Sequence, residues 1–170
     1  AACFPAGSGR ESALATDGSA VDRAVAAVGA EGPWLREHLD DLARWSEPAA
    51  SAAEGTHLSH GDLRADNILL DERELWIVDW PWATGGGAAW FDLLTILPSV
   101  AMQGGGEPAS LFWSHPNAAG ADREAVHSVL AAVTGYFVEQ AVQPAPLGIT
   151  NLRPFQLAQG LEALRWLRAW

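Results

Sequence analysis

Residues 60–80 decide the fold, and they read HGDLRADNILLDERELWIVDW. Two short apolar runs, at 67–70 and 75–78, flank the charged tetrapeptide at 71–74. Apolar runs of strand length joined by a short polar turn are typical of a β-hairpin. The pattern therefore predicts two buried strands connected by an acidic turn.

The sequence on either side of this stretch is dominated by helical spacing. Apolar residues that recur every three or four positions predict helices over 19–28, 34–45, 89–102, 122–142 and 154–170. Asp122 is expected to cap the fourth helix, and Pro98 is expected to kink or end the third. Residues 1–18 are expected to be a flexible segment, 46–55 a connection, and the glycine runs 85–87 and 104–106 loops. The predicted fold class is α+β, mostly α, with helices packed around one small hairpin.

Three oxygen-bearing side chains occupy the ends of the predicted strands. Asp62 and Asn67 precede the first strand, and Asp79 follows the second. Because a hairpin brings these two ends to the same edge, we expect the three side chains to converge. Carboxylate and amide oxygens suit a hard cation such as Mg²⁺.

This arrangement resembles the catalytic and metal loops of the protein-kinase-like fold, in which a base and an asparagine five positions later precede a metal-holding aspartate. The His60-Gly61-Asp62 variant is similar to the aminoglycoside phosphotransferase and choline kinase-like family. The resemblance runs from about Trp34 to the end of the chain and corresponds to that fold's C-terminal lobe, here residues 19–170. It departs from protein kinases at Asp79-Trp80-Pro81, where the proline is expected to restrict movement of the loop.

The resemblance also implies a role for each residue of the motif. Asp62 would be the catalytic base, and Arg64 would neutralise charge near the transferring phosphoryl group. Mg²⁺ would be held by Asn67 and Asp79, while His60 and Asp92 would support the loop. Asp66 is expected to be structural, and Trp80, Trp82 and Trp90 are expected to serve packing.

The implied activity is transfer of the γ-phosphate of ATP to a hydroxyl of a small molecule. The acceptor pocket is expected among the helices after residue 104, where Glu107, Trp113 and Glu139 are candidates. The nucleotide-gripping N-terminal lobe is not found in this chain, since it has no lysine and no glycine-rich loop between strands. Two alternatives therefore stand beside the kinase hypothesis. One is a non-catalytic kinase-like fragment or binding module, and the other is a metal-dependent hydrolase using His60, Asp62 and Asp79.

The composition of the chain limits which kinds of partner are expected to bind it. A formal net charge of −11 disfavours nucleic acid and is compatible with a cationic acceptor. No apolar run is long enough to predict a membrane helix, and the first residues do not resemble a signal peptide. The single cysteine, Cys3, has no internal partner, so a cytoplasmic protein is expected. The only methionine is Met102, so we expect the chain to be processed or a fragment.

Overall fold

The structure is a computed structural model, and it describes residues 18–170. It is mostly helical with two small sheets, which confirms the α+β class. The predicted flexible segment falls outside the described residues, except for Gly18. The helices are α1 (Gly18–Ala27), α2 (Gly32–Glu37), α3 (Leu39–Ser46), α4 (Ala49–Ala52), α5 (Phe91–Met102), α6 (Pro108–Ser114), α7 (Arg123–Ala141) and α8 (Leu152–Arg168). The strands are β1 (Glu54–Ser59), β2 (Ile68–Leu70), β3 (Leu75–Ile77) and β4 (Thr84–Gly87).

The core is built around α7, which packs most extensively against α8 and also against α3 and α4. Buried residues such as Val126, Leu130 and Phe137 line its inner faces. Asp122 caps this helix as predicted, because its side chain accepts a hydrogen bond from the Ala125 amide at 2.8 Å. Gly160 of α8 lets the two helices approach closely, since a Cβ there would lie 3.2 Å from the Cβ of Phe137. Along residues 18–170 no helix combines the length and apolar character needed to cross a bilayer.

Pro98 does not end α5, which continues to Met102. Proline costs a helix one backbone hydrogen bond, but Leu94, Leu97 and Pro98 itself are buried against the core. Packing on this apolar face outweighs the lost bond. A buried hydrogen bond of 2.6 Å from Gln159 Nε2 to Ser99 Oγ further ties α5 to α8.

The predicted hairpin is present, with β2 and β3 paired antiparallel. Leu69 lies opposite Trp76 and Leu70 opposite Leu75. The Asp71 carboxylate closes the turn by accepting hydrogen bonds from the amides of residues 73 and 74 at 2.7 and 2.8 Å. The prediction that both strands are buried is wrong, because these four apolar side chains are more than half exposed.

A second sheet, between β1 and β4, was not predicted from the sequence. The glycine run 85–87 was expected to be a flexible connection but lies entirely within β4, and the expected connection 46–55 contains α4 and the start of β1. A Cβ on Gly55 would collide with the carbonyl oxygen of Gly87, whereas a Cβ on Gly85 or Gly86 would meet no atom closer than 3.6 Å. The close approach of the two backbones therefore requires glycine at position 55.

Candidate functional site

The loop that joins β1 to β2 is fixed from behind by Asp92, in the first turn of α5. One Asp92 oxygen accepts a hydrogen bond from the His60 amide at 2.6 Å, and the other accepts from the Gly61 amide at 3.0 Å. Hydrogen bonds to a carboxylate are among the stronger ones in proteins. Asp92 therefore sets the position of the backbone immediately before Asp62.

His60 connects this loop to the end of β3. Its Nε2 lies 2.9 Å from the carbonyl oxygen of Val78, which can only accept, so Nε2 carries the proton. Nδ1 is then the acceptor for the Asp62 amide, 3.3 Å away. The ring is buried and packs on Trp80 with ring centroids 4.6 Å apart. Both nitrogens are thus engaged within the protein, and His60 has a supporting position.

Gly61 is required by the backbone geometry of the same loop. Its φ of +84° lies in the left-handed region, and a Cβ would stand 2.7 Å from the carbonyl oxygen of Trp82. Both conditions favour glycine over any other residue. The loop carrying Asp62 therefore lies directly against the chain that follows Asp79.

Asn67 and Asp62 are joined through a side-chain hydrogen bond. Asn67 Nδ2 donates to the backbone carbonyl of Asp62 at 2.9 Å, and the backbone carbonyl of Asn67 accepts from the Val78 amide at 3.0 Å. The side chain is buried. Because its nitrogen is used in this way, the amide oxygen of Asn67 is left as a ligand atom for a cation.

Asp79 completes the set in an unusual backbone conformation. Its φ is +65°, and within the described part of the chain it is the one residue other than glycine with a positive φ. Such conformations cost energy and occur often at functional sites. The charge of Asp79 also contributes to raising the pKa of Asp62, so the two carboxylates are close enough to interact. Asn67 thus contacts Asp62 directly and is hydrogen-bonded through its backbone to Val78, the neighbour of Asp79, while the Asp79 carboxylate is related to Asp62 by this charge interaction.

The environment of Asp62 makes its carboxyl more basic than usual. Burial raises the pKa above the ordinary 3.8; Arg64 opposes this rise, and Asp66 adds to it. His60 and Asp79 make smaller contributions, lowering and raising the pKa respectively. A carboxylate with a raised pKa is a better proton acceptor for a hydroxyl.

Arg64 is held beside Asp62 by a network of charges. Its guanidinium forks onto Asp66, with Nε and Nη2 donating to the two carboxylate oxygens at 3.1 and 3.2 Å. Nη1 lies 3.5 Å from Asp62 Oδ1, and the group stands 6.0 Å above the ring of Phe155. Asp66 therefore orients Arg64, which agrees with a structural role for Asp66.

One wall of the site comes from residues that the sequence did not identify. The charges of Asp62 and Arg64 both affect the pKa of Tyr136 on α7. Burial raises this pKa, the charge of Asp62 raises it further, and the charge of Arg64 lowers it. Phe155, in the first turns of α8, lies below the Arg64 guanidinium. Both residues are more than fifty positions from Asp79, and no local pattern distinguishes them from core aromatics.

The three residues predicted to line the acceptor pocket have different surroundings. Glu107 uses both carboxylate oxygens to cap α6, and Trp113 packs on Phe112 and stacks with Arg123. These two side chains have structural contacts. Glu139 lies one helical turn beyond Tyr136 on α7, and burial raises its pKa. Of the three, Glu139 is the one on the helix that reaches the site.

The three tryptophans expected to serve packing differ in how exposed they are. Trp90 is buried, whereas Trp80 and Trp82 are 43% and 48% exposed. Trp80 is nevertheless anchored, because its Nε1 donates to the Ile77 carbonyl at 2.7 Å.

The donor atoms at this site match Mg²⁺ better than a transition metal. Asn67 and Asp79 offer hard oxygens, which is the ligand type Mg²⁺ prefers. Among residues 18–170 no group of three or more His, Cys, Asp or Glu side chains is arranged to hold a metal. Both ring nitrogens of His60 are engaged within the protein, so neither is available as the metal ligand that the hydrolase alternative needs.

Comparison with known proteins adds no relative: no family model, curated protein or solved structure matches the chain. Its function must therefore be argued from the motif and from the geometry of this site.

Proposed function

We propose that the chain is the catalytic part of a small-molecule kinase of the aminoglycoside phosphotransferase type, which transfers the γ-phosphate of ATP to a hydroxyl. The observation that carries the proposal is the joined arrangement of Asp62, Asn67 and Asp79, supported by His60 and Asp92. This is a basic carboxylate beside two oxygen ligands for a cation, which is the combination that phosphoryl transfer needs.

In this proposal Asp62 acts on the acceptor. Its carboxylate orients the hydroxyl and takes the proton as the oxygen forms a bond to the γ-phosphorus, while the bond from that phosphorus to the bridging oxygen breaks and ADP leaves. Arg64, held by Asp66 close to Asp62, neutralises charge on the phosphoryl oxygens. Asn67 and Asp79 would hold Mg²⁺, which supplies charge neutralisation on the nucleotide phosphates when bound.

Calorimetric titration of Mg²⁺ and ATP into the chain tests nucleotide binding. Asp79→Ala and Asn67→Ala are expected to abolish the heat, because each removes a ligand oxygen. Asp40→Ala makes the same chemical change on the exposed surface of α3 and is the matched control. No heat from the unmodified chain at millimolar nucleotide would favour the alternative of a non-catalytic binding module.

A second experiment isolates the chemical step. Pooled hydroxyl-bearing amines are incubated with labelled ATP, and transfer of the label is measured. Asp62→Asn is expected to bind the nucleotide normally but to transfer about a hundredfold to ten-thousandfold more slowly, the usual contribution of a general base. In the unmodified chain, transfer should fall as the pH drops through the raised pKa of Asp62. Label transfer by Asp62→Asn at the unmodified rate would contradict the assigned base.

A further inference from the structure

The most exposed apolar surface near the site belongs to the β2–β3 hairpin. We call Leu69, Leu70, Leu75 and Trp76 the hairpin face; they are 54%, 73%, 58% and 56% exposed. Side chains alternate across a strand, so the Leu69–Trp76 pair lies on one side and the Leu70–Leu75 pair on the other. Both sides of the hairpin are therefore apolar and open. Isolated two-stranded hairpins are marginally stable in water, and clustered apolar exposure marks interaction sites.

The edges of the hairpin are open as well as its faces. The sheet contains two strands, so within the described residues β2 and β3 pair only with each other. The Ile68 amide already donates to the Ala65 carbonyl, and the Ile77 carbonyl already accepts from Trp80 Nε1. An added strand would therefore pair with the outer edge at Leu70 of β2 or at Leu75 of β3. Strand addition gains affinity from main-chain hydrogen bonds and specificity from alternate side chains.

The charge around the hairpin determines what can dock there. The turn carries Asp71, Glu72 and Glu74 against the single cation Arg73. A net charge of −11 also repels a second copy of this chain, and it disfavours nucleic acid and anionic membranes. The complementary partner is apolar and basic.

We propose that the hairpin binds an extended basic segment of another polypeptide by strand addition. Alternate apolar side chains of that segment cover the hairpin face, and lysine or arginine side chains between them meet the acidic turn. This interaction does not depend on phosphoryl transfer, so it can be tested whether or not the chain is a kinase.

The test uses short synthetic peptides and calorimetry with the unmodified chain. A peptide in which valine alternates with lysine is expected to bind. Three control peptides are expected not to bind: valine alternating with glutamate, serine alternating with lysine, and the valine–lysine peptide with methylated backbone amides. They remove the charge, the apolar contacts and the strand hydrogen bonds in turn.

Variants of the chain locate the binding surface. The double substitution Leu70→Ser and Trp76→Ser is expected to weaken the valine–lysine peptide by about tenfold or more, as loss of contact residues at an interface does. Leu147→Ser changes a fully exposed leucine outside the hairpin and should leave affinity unchanged. Thermal unfolding of each variant shows whether the fold is retained.

Several results would overturn the proposal. These are equal binding of the glutamate, serine or methylated peptides, no binding of any peptide, or binding unaffected by the hairpin variants. Sedimentation showing a dimer that the hairpin variants dissociate would assign the surface to a second copy. Flotation with anionic phosphatidylserine vesicles that depends on the same leucines would assign it to a membrane.

Discussion

Replacing Gly61 by alanine tests the packing of the loop between β1 and β2 directly. Two separate costs are expected, because Gly61 has a φ of +84° and its added Cβ would stand 2.7 Å from the Trp82 carbonyl oxygen and 2.9 Å from the Trp82 Cβ. The first cost is conformational and the second is steric. The nearest atom belongs to backbone, so it cannot move aside as a flexible side chain would.

The two costs can be estimated separately. An alanine held in the left-handed region costs about 1–2 kcal/mol. Forcing a methyl group into a packed site costs about 1–3 kcal/mol more. Alanine also reduces the conformational freedom of the unfolded chain, which stabilises the folded state by about 0.4–1 kcal/mol. The free energy of unfolding is therefore expected to fall by about 1–5 kcal/mol.

The chain supplies two matched controls for this substitution. Gly120 has a φ of +76° with no atom within 4 Å of an added Cβ, so Gly120→Ala has the conformational cost alone. Gly85 has the same open space without a positive φ, so Gly85→Ala should change stability by less than about 0.5 kcal/mol. Urea unfolding of the three variants measures each difference. If Gly61→Ala is no less stable than Gly120→Ala, the contact with Trp82 is not what requires glycine, and equality with Gly85→Ala would refute both costs.

Two further predictions concern other parts of the molecule. Asp92→Ala leaves the amides of His60 and Gly61 without their acceptor, so urea unfolding should show a loss of about 2–5 kcal/mol, and a stability equal to the unmodified chain would contradict the hydrogen bonds described. Burial lowers the pKa of folded His127 below 6.5, so the unfolded chain binds its proton more readily; stability should therefore fall as the pH drops through 6.5, and His127→Gln should reduce that dependence in unfolding curves recorded across this range.

The parts of the fold that the sequence predicts correctly are those set by local patterns. Most helices follow apolar spacing, although the helix predicted over 34–45 is divided at His38 into α2 and α3. Asp122 caps α7, and β2 and β3 pair across their charged turn. The spacing of Asp62, Asn67 and Asp79 is likewise local to one loop and one hairpin. The contact between Asn67 and Asp62 could be anticipated because the two residues lie five positions apart in one loop. The shared site of all three side chains stays a prediction.

The features that were missed depend on distant parts of the chain. Glycines are expected in loops, so the pairing of β1 with β4 becomes evident only when Gly55 and Gly87 are seen to approach too closely for side chains. Burial of the hairpin strands was inferred from their apolar residues, but burial also needs a covering element. The charge interaction of Tyr136 with Asp62 depends on how α7 packs relative to the loop, and a single sequence does not specify that packing.

The imidazole of His60 has a consequence for how the site moves. Its Nε2 donates to the Val78 carbonyl, in the peptide before Asp79, and its Nδ1 accepts from the amide of Asp62. The ring therefore connects the loop before β2 to the loop after β3. Neither loop can shift without turning the ring and disturbing the other. A spectroscopic label placed on either loop should therefore report the same exchange rate, and the pair should open and close as a single rigid unit.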